Sequence, residues 1–500
     1  MVHPIRTQVV VVGGGPVGML LAAELVRFGV DALVLEREAT TSERPKATTL
    51  HARTVQTLAR RGYLTAPEMS STAGTVSSPF HFAGIPGLHI TAPAAEPEPV
   101  LKRAQADFER LFEGRARAAG ARVMREHHMV EIRQLPDGVA VLAEGPQGPT
   151  VFEAAYVVGA DGARGTVREQ AGILSDTYEA TVSAMMGLVR LDDPNALSAG
   201  WHRTSNGWVV AKEGADGETH IRTVNFAQTD VDRGRPLSLE ELRGETSKIM
   251  GREIAMSAPR WLSRFSDYAR LARAYRERRV LLAGDAAHLH FPIGGQGLST
   301  GLLDALNLAW KLAATVQGSA SASLLNSYET ERRPAAERVI DNVRAQVSLM
   351  HPEVRLDSLR SLVSGLLVDD RGGSHLAAMI SAQDTVLPAR SLSPSPWEGK
   401  FLQNIALTTR SGPTDVIGLL REGRMLLLLF GTDTCEQHEK AAQRWSHSLR
   451  IVRAEPVAVV PCAALLVRPD GYIAWASDGG GLDETLAEYL TADGGVTSAG

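Results

Sequence analysis

Glycines near the N-terminus have the spacing of a phosphate-binding loop, and an acidic residue follows at the distance of a ribose contact. The stretch VVVVGGGPVGM carries Gly13, Gly15 and Gly18 in G-x-G-x-x-G order, between an apolar strand and an apolar helix. Glycine lets the backbone turn sharply and approach a pyrophosphate, which the helix N-terminus then faces. Glu36 ends the next predicted strand, 18 residues past Gly18, where a carboxylate can bind a ribose 2′-hydroxyl. Because this carboxylate would repel a 2′-phosphate, the pattern favours FAD or NAD over NADP.

Two later motifs favour a flavin. The stretch VVGADGARGTVR contains Asp161 and Gly162, and VLLAGDAAHLHFPIGGQGLSTG contains Asp285 and Pro292. Asp285 closes a predicted strand, where its carboxylate can accept a hydrogen bond from a ribityl hydroxyl. The glycine-rich loop after Pro292 opens a long helix, whose first backbone amides carry partial positive charge. Such amides can stabilise negative charge on a reduced flavin, a task that an NAD site does not require.

The elements around these motifs predict an α/β fold with an α+β insert. A strand–helix–strand pattern opens the chain, and a strand followed by long helices returns at residues 278–345. Strand-like segments between turn residues predict an inserted antiparallel sheet, and a βαβ pattern after about residue 401 predicts a small C-terminal domain. We predict a Rossmann-like FAD-binding domain in two parts (1–179 and 276–395), a substrate-binding domain (180–275, with strands near 76–104) and a C-terminal domain (400–495).

Composition and charge point to a folded protein without a nucleic-acid or membrane footprint. The chain has 500 residues, of which 44% are hydrophobic, and a net charge of −5. Its early apolar run, residues 9–12, is too short to span a bilayer. Cys435 and Cys462 fit neither a disulfide framework nor a redox pair, so we expect a reduced, cytoplasmic protein. We expect no metal site, because no carboxylate or cysteine is placed to complete one with His288 and His290.

Together the three motifs resemble those of the group A flavin-dependent aromatic hydroxylases, which have the para-hydroxybenzoate hydroxylase fold. The segments RPKATTLHART (44–54) and SYETERRPAAERV (327–339), and the run ending in Gln105–Asp107–Phe108–Glu109, add to the resemblance. The chain is most similar to the branch that acts on aromatic polyketides in bacterial antibiotic pathways, whose C-terminal domain is thioredoxin-like. This resemblance covers nearly the whole chain.

The resemblance implies FAD as the bound cofactor, NADPH or NADH as a transient reductant and O₂ as a co-substrate. It implies hydroxylation of a polycyclic aromatic polyketide through a flavin C4a-hydroperoxide, with Pro292 beside the flavin on the cavity side and no acid or base assigned. The implied cofactor-binding residues are Gly13, Gly15, Pro16, Gly18, Glu36, Arg37, Arg44, Lys46, Arg53, Gln105, Asp161, Gly162, Asp285, Pro292, Gly295, Gly297, Leu298 and Ser299. The family usually has asparagine in place of Ser299 and often glutamine in place of Leu303, so the chain departs from the pattern where the loop meets the flavin.

Several alternatives remain open from the sequence. Trp201, Trp208 and Phe226 lie on the predicted inserted sheet and His290 precedes Pro292. They are candidates for the substrate wall, or for ordinary core and structural roles. Baeyer–Villiger oxygenation of a related polyketide, a flavin-dependent reductase and a non-catalytic flavin-binding partner compete with hydroxylation. The C-terminal domain is expected to be a structural or dimer-contact module, in a monomer or homodimer.

Overall fold

A mostly parallel sheet of six strands forms the core around the first two motifs. The computed structural model describes residues 4–69, 76–214, 217–227, 235–321, 323–431, 435–457, 460 and 462–491. Across the sheet the strands are Arg276–Glu277, Val280–Leu282, Tyr156–Gly159, Val9–Val12, Ala32–Leu35 and Arg122–Met124. Only the first pair is antiparallel. The four valines of Val9–Val12 are all buried, as expected of a parallel strand covered on both faces.

Three long helices pack beside this sheet. Pro16–Arg27 contacts Gln105–Ala119 and Gly297–Val316. Gln105–Ala119 ends at Gly120, whose φ of 106° supplies the left-handed residue that commonly terminates a helix. The other α-helices up to residue 380 are Ala52–Arg60, Ala66–Met69, Val167–Gln170, Leu239–Met250, Ser327–Met350, Asp357–Val368 and Asp370–Ile380. No described helix is long and apolar enough to cross a membrane.

The inserted sheet is antiparallel and packs on two different partners. Its strands, in order, are Gly200–Thr204, Gly207–Glu213, Thr219–Asn225, Ser183–Leu191 and Met256–Ser266. One face packs on helix Leu239–Met250, which begins with a capping box of Ser238 and Glu241. The opposite face, here called the inner face, packs on the hairpin Val76–Phe82 and Ile85–Ala92. The inner face therefore looks towards the part of the molecule that carries the third motif.

Smaller sheets complete the N-terminal part. One contains Ile5–Arg6, Gly148–Ala154, Val139–Gly145 and His128–Gln134, a second contains Ser175–Tyr178, Ala269–Ala272 and His288–Leu289, and a third pairs Thr49–His51 with Val100–Lys102. Strand Thr49–His51 of the third sheet lies within the segment 44–54, which carries the predicted cofactor contacts Arg44, Lys46 and Arg53.

The C-terminal part has its own six-stranded sheet. In order, its strands are Gly412–Asp415, Ala406–Thr409, Leu449–Pro456, Met425–Leu429, Ala464–Val467 and Ile473–Ala476. Its helices are Val416–Leu420, Cys435–Ala442 and Leu482–Tyr489. Burial raises the pKa of the Cys462 thiol to about 11, which keeps it protonated at neutral pH.

Buried arginines join the C-terminal sheet to the rest of the chain. Arg468 forms a two-point ion pair with Glu331 of helix Ser327–Met350, at 2.8 and 2.7 Å. Arg60 pairs with Glu96 and donates to the carbonyl of Leu402 at 2.8 Å. These charges are almost completely removed from solvent. The C-terminal part is thus held by specific polar contacts as well as by apolar packing.

The predicted fold class is confirmed, while the predicted domain bounds stay predictions. The strands predicted near residues 76–104 are present as the hairpin described above and as Val100–Lys102. Helices Asp357–Val368 and Asp370–Ile380 lie in the second part of the predicted FAD-binding domain.

Candidate active site

The first motif leaves open space above the start of a helix. A side chain at Gly13, whose φ is 110°, would place its Cβ 2.3 Å from the carbonyl oxygen of Ala160, and one at Gly18 would lie 2.0 Å from the oxygen of Gly13. Both positions therefore require glycine for close backbone packing. A Cβ at Gly15 would meet nothing within 4 Å. Helix Pro16–Arg27 has no side-chain cap, so its first amides are available to a phosphate.

The second motif lies directly beside the first. Strands Val9–Val12 and Tyr156–Gly159 are parallel neighbours, so their carboxyl ends lie at the same edge of the sheet. Asp161 follows the second strand, and its Oδ2 accepts a hydrogen bond from the backbone of Val167 at 3.0 Å. Its Oδ1 is buried with no hydrogen-bond partner in the structure. Burial raises the pKa of Asp161, and a buried oxygen of this kind needs a donor.

Glu36 lies at the same edge and already closes the loop. Its carboxylate accepts hydrogen bonds from the backbone of Gly14 at 2.5 Å and of Glu38 at 2.8 Å. Gln105 opens its helix and donates to Glu109 at 2.9 Å. Burial raises the pKa of Glu109, against the hydrogen bond from Gln105. The predicted ribose and ribityl contacts, Glu36 and Gln105, thus belong to one polar group at this edge.

The cationic side chains that were predicted to contact the cofactor differ in their exposure to solvent. Arg37, Arg44 and Lys46 are exposed, and Arg37 pairs with Glu38 at 3.4 Å. Arg53 is buried, and its guanidinium lies 3.8 Å from the ring centre of Phe401 in the C-terminal part. Its nitrogens donate to the carbonyls of residues 382 and 383 and to Gln56. The contacts of the Arg53 side chain in the structure are thus to protein atoms. Its contact with the flavin stays a prediction.

The third motif presents a carboxylate and an uncapped helix start. Asp285 is exposed within the short turn Gly284–Ala286, directly after strand Val280–Leu282. Pro292 is exposed too, and the turn Ile293–Gly295 follows it. Gly295 has a φ of 63°, in the region that favours glycine. Helix Gly297–Val316 then begins without a side-chain cap, so its first amides are available to a ligand.

His51 holds this loop at two points. Its ring Nε2 donates to the carbonyl of Gly294 at 2.8 Å, and its backbone N–H donates to the hydroxyl of Ser299 at 3.1 Å. Burial lowers the pKa of His51 to about 4, so the ring is neutral at pH 7. Its Nδ1 is buried without a partner. Ser299, a departure from the family pattern, therefore has a defined role in fixing the loop to strand Thr49–His51.

His290 lies at the loop rather than on the inserted sheet. Its ring is 3.5 Å from where a Cβ of Gly297 would sit. Its Nε2 is buried with no partner in the structure, and burial lowers its pKa. His290 is thus placed beside the start of the helix, where the sequence allowed a structural or a substrate-edge role.

Asp304 organises the third motif, and sequence reasoning missed it. Its carboxylate accepts hydrogen bonds from His288 Nε2 at 2.7 Å, from Arg332 Nε at 2.8 Å and from the backbone of Gly284 at 3.1 Å. Burial acts to raise its pKa, but His288 and Arg332 hold the pKa below its usual value. The only signal was an acidic residue within an apolar helical run, LLDALNLAW. His288 is therefore a structural partner of Asp304.

A chain of ring contacts leads from the loop to the inner face of the inserted sheet. His51 contacts Phe80 at 5.1 Å between ring centres, Phe80 stacks on His81 at 4.8 Å, and His81 contacts Trp201 at 4.6 Å. Trp201 in turn packs edge-on against Trp208 at 6.0 Å. Offset and edge-to-face contacts of this kind suit an aromatic ligand as well as aromatic neighbours.

Two of the predicted substrate residues, Trp208 and Phe226, also have structural contacts, and their substrate role stays a prediction. Trp208 is buried, and its Nε1–H donates to the carbonyl of Met350 at 2.6 Å. Phe226 packs against His351 at 4.9 Å between ring centres. Trp201 and Phe226 are half-buried, and Trp201 contacts His81 in the series of rings that leads from the loop.

These features fit FAD. The open space above Gly15 and two uncapped helix starts suit a pyrophosphate and an anionic flavin edge. The unpartnered oxygen of Asp161 and the exposed carboxylate of Asp285 suit hydroxyl donors. No cluster of three or more His, Cys, Asp or Glu residues that could hold a metal ion occurs in the described part of the chain.

Comparison with known proteins defines the class. Residues 6–343 match the FAD binding domain family, and residues 395–493 match the family described as aromatic-ring hydroxylase, C-terminal. The chain belongs to these FAD-dependent aromatic-ring hydroxylases, and it is an FAD-dependent aromatic monooxygenase. The predicted family, enzyme class and FAD cofactor are confirmed.

Individual relatives indicate which members of this class the chain resembles. The chain is 37% identical to the 12-dehydrotetracycline 5-monooxygenase/anhydrotetracycline 6-monooxygenase of Streptomyces rimosus, over 94% of this chain and 95% of that protein. It is 36% identical to the dialkyldecalin synthase of Streptomyces rugosporus, over 96% and 98%. Among solved structures it is similar to CabE, an aromatic hydroxylase from angucycline biosynthesis, with 33% identity, a TM-score of 0.89 and coverage of 97% and 99%.

Proposed function

We propose that the chain hydroxylates a polycyclic aromatic polyketide in an antibiotic or secondary-metabolite pathway. The reaction consumes NADPH or NADH, one proton and O₂, and it yields the phenol, the oxidised nicotinamide and water. The observation that carries the proposal is the series of ring contacts from His51 to Trp201, between the loop of residues 292–299, here called the flavin loop, and the inserted sheet. The relatives named as tetracycline and angucycline oxygenases support the same substrate class.

The three motifs divide the work of holding the cofactor. Gly13, Gly15 and Gly18 would receive the pyrophosphate and Glu36 the adenosine ribose, with Asp285 on the ribityl chain. The amides from Gly295 to Ser299 would face the pyrimidine edge. Bound FAD, once reduced, supplies the electrons that activate O₂ for insertion of one oxygen atom into the ring.

The residues of the chain would position the substrate, exclude water from the site and supply a constant electrostatic field at the flavin. His51 holds the loop through Gly294 and Ser299, so the helix-start amides keep a constant geometry towards developing negative charge. Pro292 is exposed at the mouth of that loop, where an apolar side chain would exclude water from the reacting oxygen. Asp161 and Gly162 are proposed to serve the nicotinamide coenzyme as well as FAD.

We propose a cytoplasmic enzyme with a small-molecule substrate, acting as a monomer or homodimer without a nucleic-acid or membrane partner. NADPH and NADH would be compared directly as reductants of the bound flavin. The C-terminal part is proposed to act as a structural module, because it is joined to the FAD-binding part by the buried Arg468–Glu331 ion pair and by the hydrogen bond from Arg60 to the carbonyl of Leu402.

The test is a flavin spectrum followed by turnover. We expect the purified protein to carry FAD, and polycyclic phenols to stimulate its NADPH oxidation. Under ¹⁸O₂ the product should gain one labelled oxygen with its ring count unchanged. A labelled, ring-expanded lactone would establish Baeyer–Villiger oxygenation instead. A product without label would exclude oxygenation and point to a reductase, or to a synthase role such as the one that names the dialkyldecalin synthase.

A further inference from the structure

The inner face of the inserted sheet carries a row of half-buried residues in register. Across the five strands this row is Trp201, Val210, Arg222, Met186 and Ser263. Residues opposite one another on neighbouring strands point to the same side of a sheet. Trp201 contacts His81 of the hairpin, so the whole row points towards the flavin side. Arg222 is therefore turned towards the space between the inserted sheet and the flavin loop.

Arg222 lacks a carboxylate partner in the described part of the chain. Its Nε donates to the sulfur of Met186 at 3.2 Å, which is a weak acceptor. Burial lowers the pKa of Arg222, with no opposing acidic neighbour. A mostly buried guanidinium normally has an anionic partner. An anion supplied from outside the protein would complete this contact.

His220 adds a second polar group on the same face. It lies two residues before Arg222 on the same strand, so both side chains point to the same side. Its Nε2 is buried without a partner. Burial, together with the nearby charges of Arg222 and Lys212, lowers the pKa of His220 to about 4. The ring is neutral at pH 7 and can donate or accept one hydrogen bond.

The charged neighbours of this space are cationic. Lys212 is the cross-strand partner of His220. Lys102, on the strand that pairs with Thr49–His51, lies 5.4 Å from the ring centre of Phe80. Burial lowers the pKa of Lys102, and Lys212 lowers it further. These two exposed lysines, one on each wall, give the space a positive field, which favours an anionic ligand.

We propose that Arg222 and His220 form a substrate subsite that binds an ionised phenol or enol oxygen at the polar edge of an aromatic ring system. This subsite rests on the proposed function, because it assumes that the ring enters between Trp201 and the flavin loop. Arg222 supplies the charge and His220 a neutral hydrogen bond, while Lys212 and Lys102 add to the positive field. The preferred substrate is then a polycycle whose acidic oxygen lies at the end away from the hydroxylated carbon.

The test compares two probes with the same ring system, 1,2-dihydroxyanthraquinone, which can ionise, and 1,2-dimethoxyanthraquinone, which cannot. Binding to the holoenzyme is followed by the change in FAD absorbance. We expect the wild type to prefer the dihydroxy probe by about tenfold, the scale of one charged hydrogen bond. Arg222→Met should remove most of this preference, and Arg222→Lys should keep most of it. Arg260→Met, on the next strand but one and paired with Glu218 at the surface, is the matched control and should change nothing.

The outcomes separate the subsite from the proposed function. A wild type without preference, including one that binds neither probe, overturns the subsite. Equal weakening of both probes by Arg222→Met also overturns it, because that result indicates a structural role. If Arg222→Met removes the preference but no phenol stimulates NADPH oxidation by the wild type, the subsite stands and the hydroxylase proposal fails.

Discussion

Arg468 and Glu331 form a two-point ion pair that is almost completely buried between the C-terminal sheet and helix Ser327–Met350. Lys311 donates to the same carboxylate at 2.7 Å, and Asp470 accepts from Arg468 at 2.9 and 2.6 Å. Four charges thus balance one another away from water. Removing one of them leaves the others without full compensation.

Arg468→Met is expected to destabilise the protein strongly. Loss of one partner from a buried ion pair costs about 3–5 kcal/mol, so thermal unfolding should begin several degrees lower. Arg444→Met, which removes the exposed pair with Asp483, is the control and should cost less than about 1 kcal/mol. Similar melting curves for the two variants would show that the buried pair does not hold the C-terminal part in place.

Asp285→Ala is expected to reduce FAD occupancy. Removing a hydrogen bond between a carboxylate and a ribityl hydroxyl costs about 1.5–3 kcal/mol, or at least a tenfold loss of affinity. The ratio of flavin to protein absorbance after purification measures this directly. Glu277→Ala, an exposed acid on the edge strand of the same sheet, is the control. Full flavin content and normal turnover in Asp285→Ala would remove this residue from the site.

Pro292→Leu is expected to uncouple NADPH oxidation from product formation. A bulkier side chain at the mouth of the loop should disturb how the ring and the reactive oxygen meet, so that hydrogen peroxide is released instead of product. Peroxide formed per NADPH consumed is the measurement. Unchanged coupling, with FAD content equal to that of the wild type, would place Pro292 outside the cavity.

Ser299→Ala should loosen the flavin loop. The backbone N–H of His51 would lose its buried acceptor, at a cost of about 1–3 kcal/mol. We expect weaker FAD binding and a lower melting temperature. Ser348→Ala removes an exposed hydroxyl that bonds to the carbonyl of Arg344 and serves as the control, within about 0.5 kcal/mol. An unchanged FAD affinity would mean that the loop keeps its shape without this contact.

Stability should fall as the pH drops from about 6.5 to about 4. His51, His81 and His220 have pKa values lowered to about 4, by burial first. In this window the unfolded chain binds protons at these histidines and the folded chain does not, so the free energy of unfolding decreases with falling pH. His51 alone contributes up to about 3 kcal/mol, because its ring is fully buried. Melting temperature against pH measures the effect, and His51→Gln should flatten the curve. An equal slope in that variant would contradict the assignment.

Local patterns in the sequence were sufficient for the motif-bearing parts of the fold. The strand, glycine turn and helix around Gly13 are neighbours in the chain, and the structure has them as expected. The buried polar pairs could not be found in this way. Glu331 and Arg468 are far apart in the chain, and no periodicity relates them. The role of Asp304 could not be predicted for a similar reason, since a single carboxylate within an apolar helix forms no sequence pattern.

The candidate site was predictable where backbone geometry decides it and ambiguous where side chains do. Asp161 and Asp285 lie just after strands, which the short apolar runs that precede them already indicated. Whether an aromatic residue lines a cavity or fills a core depends on its neighbours from other elements. The role of Trp208 was ambiguous from the sequence, whereas in the structure its Nε1–H donates to the carbonyl of Met350. Nothing in the sequence marked Arg222 as a binding residue. Arg222 becomes a candidate only because no carboxylate pairs with its guanidinium in the described part of the fold.

The helix Ala52–Arg60 gives the molecule a mechanical link between two distant regions. It begins at His51, which holds the flavin loop, and ends at Arg60, which bonds to the C-terminal part. Its nine residues span about 13 Å as a rigid rod. A shift of the C-terminal part would therefore move this helix and, with it, the flavin loop. New substrates could be accommodated by changes on the inserted sheet, which would leave this rod and the loop it supports in place.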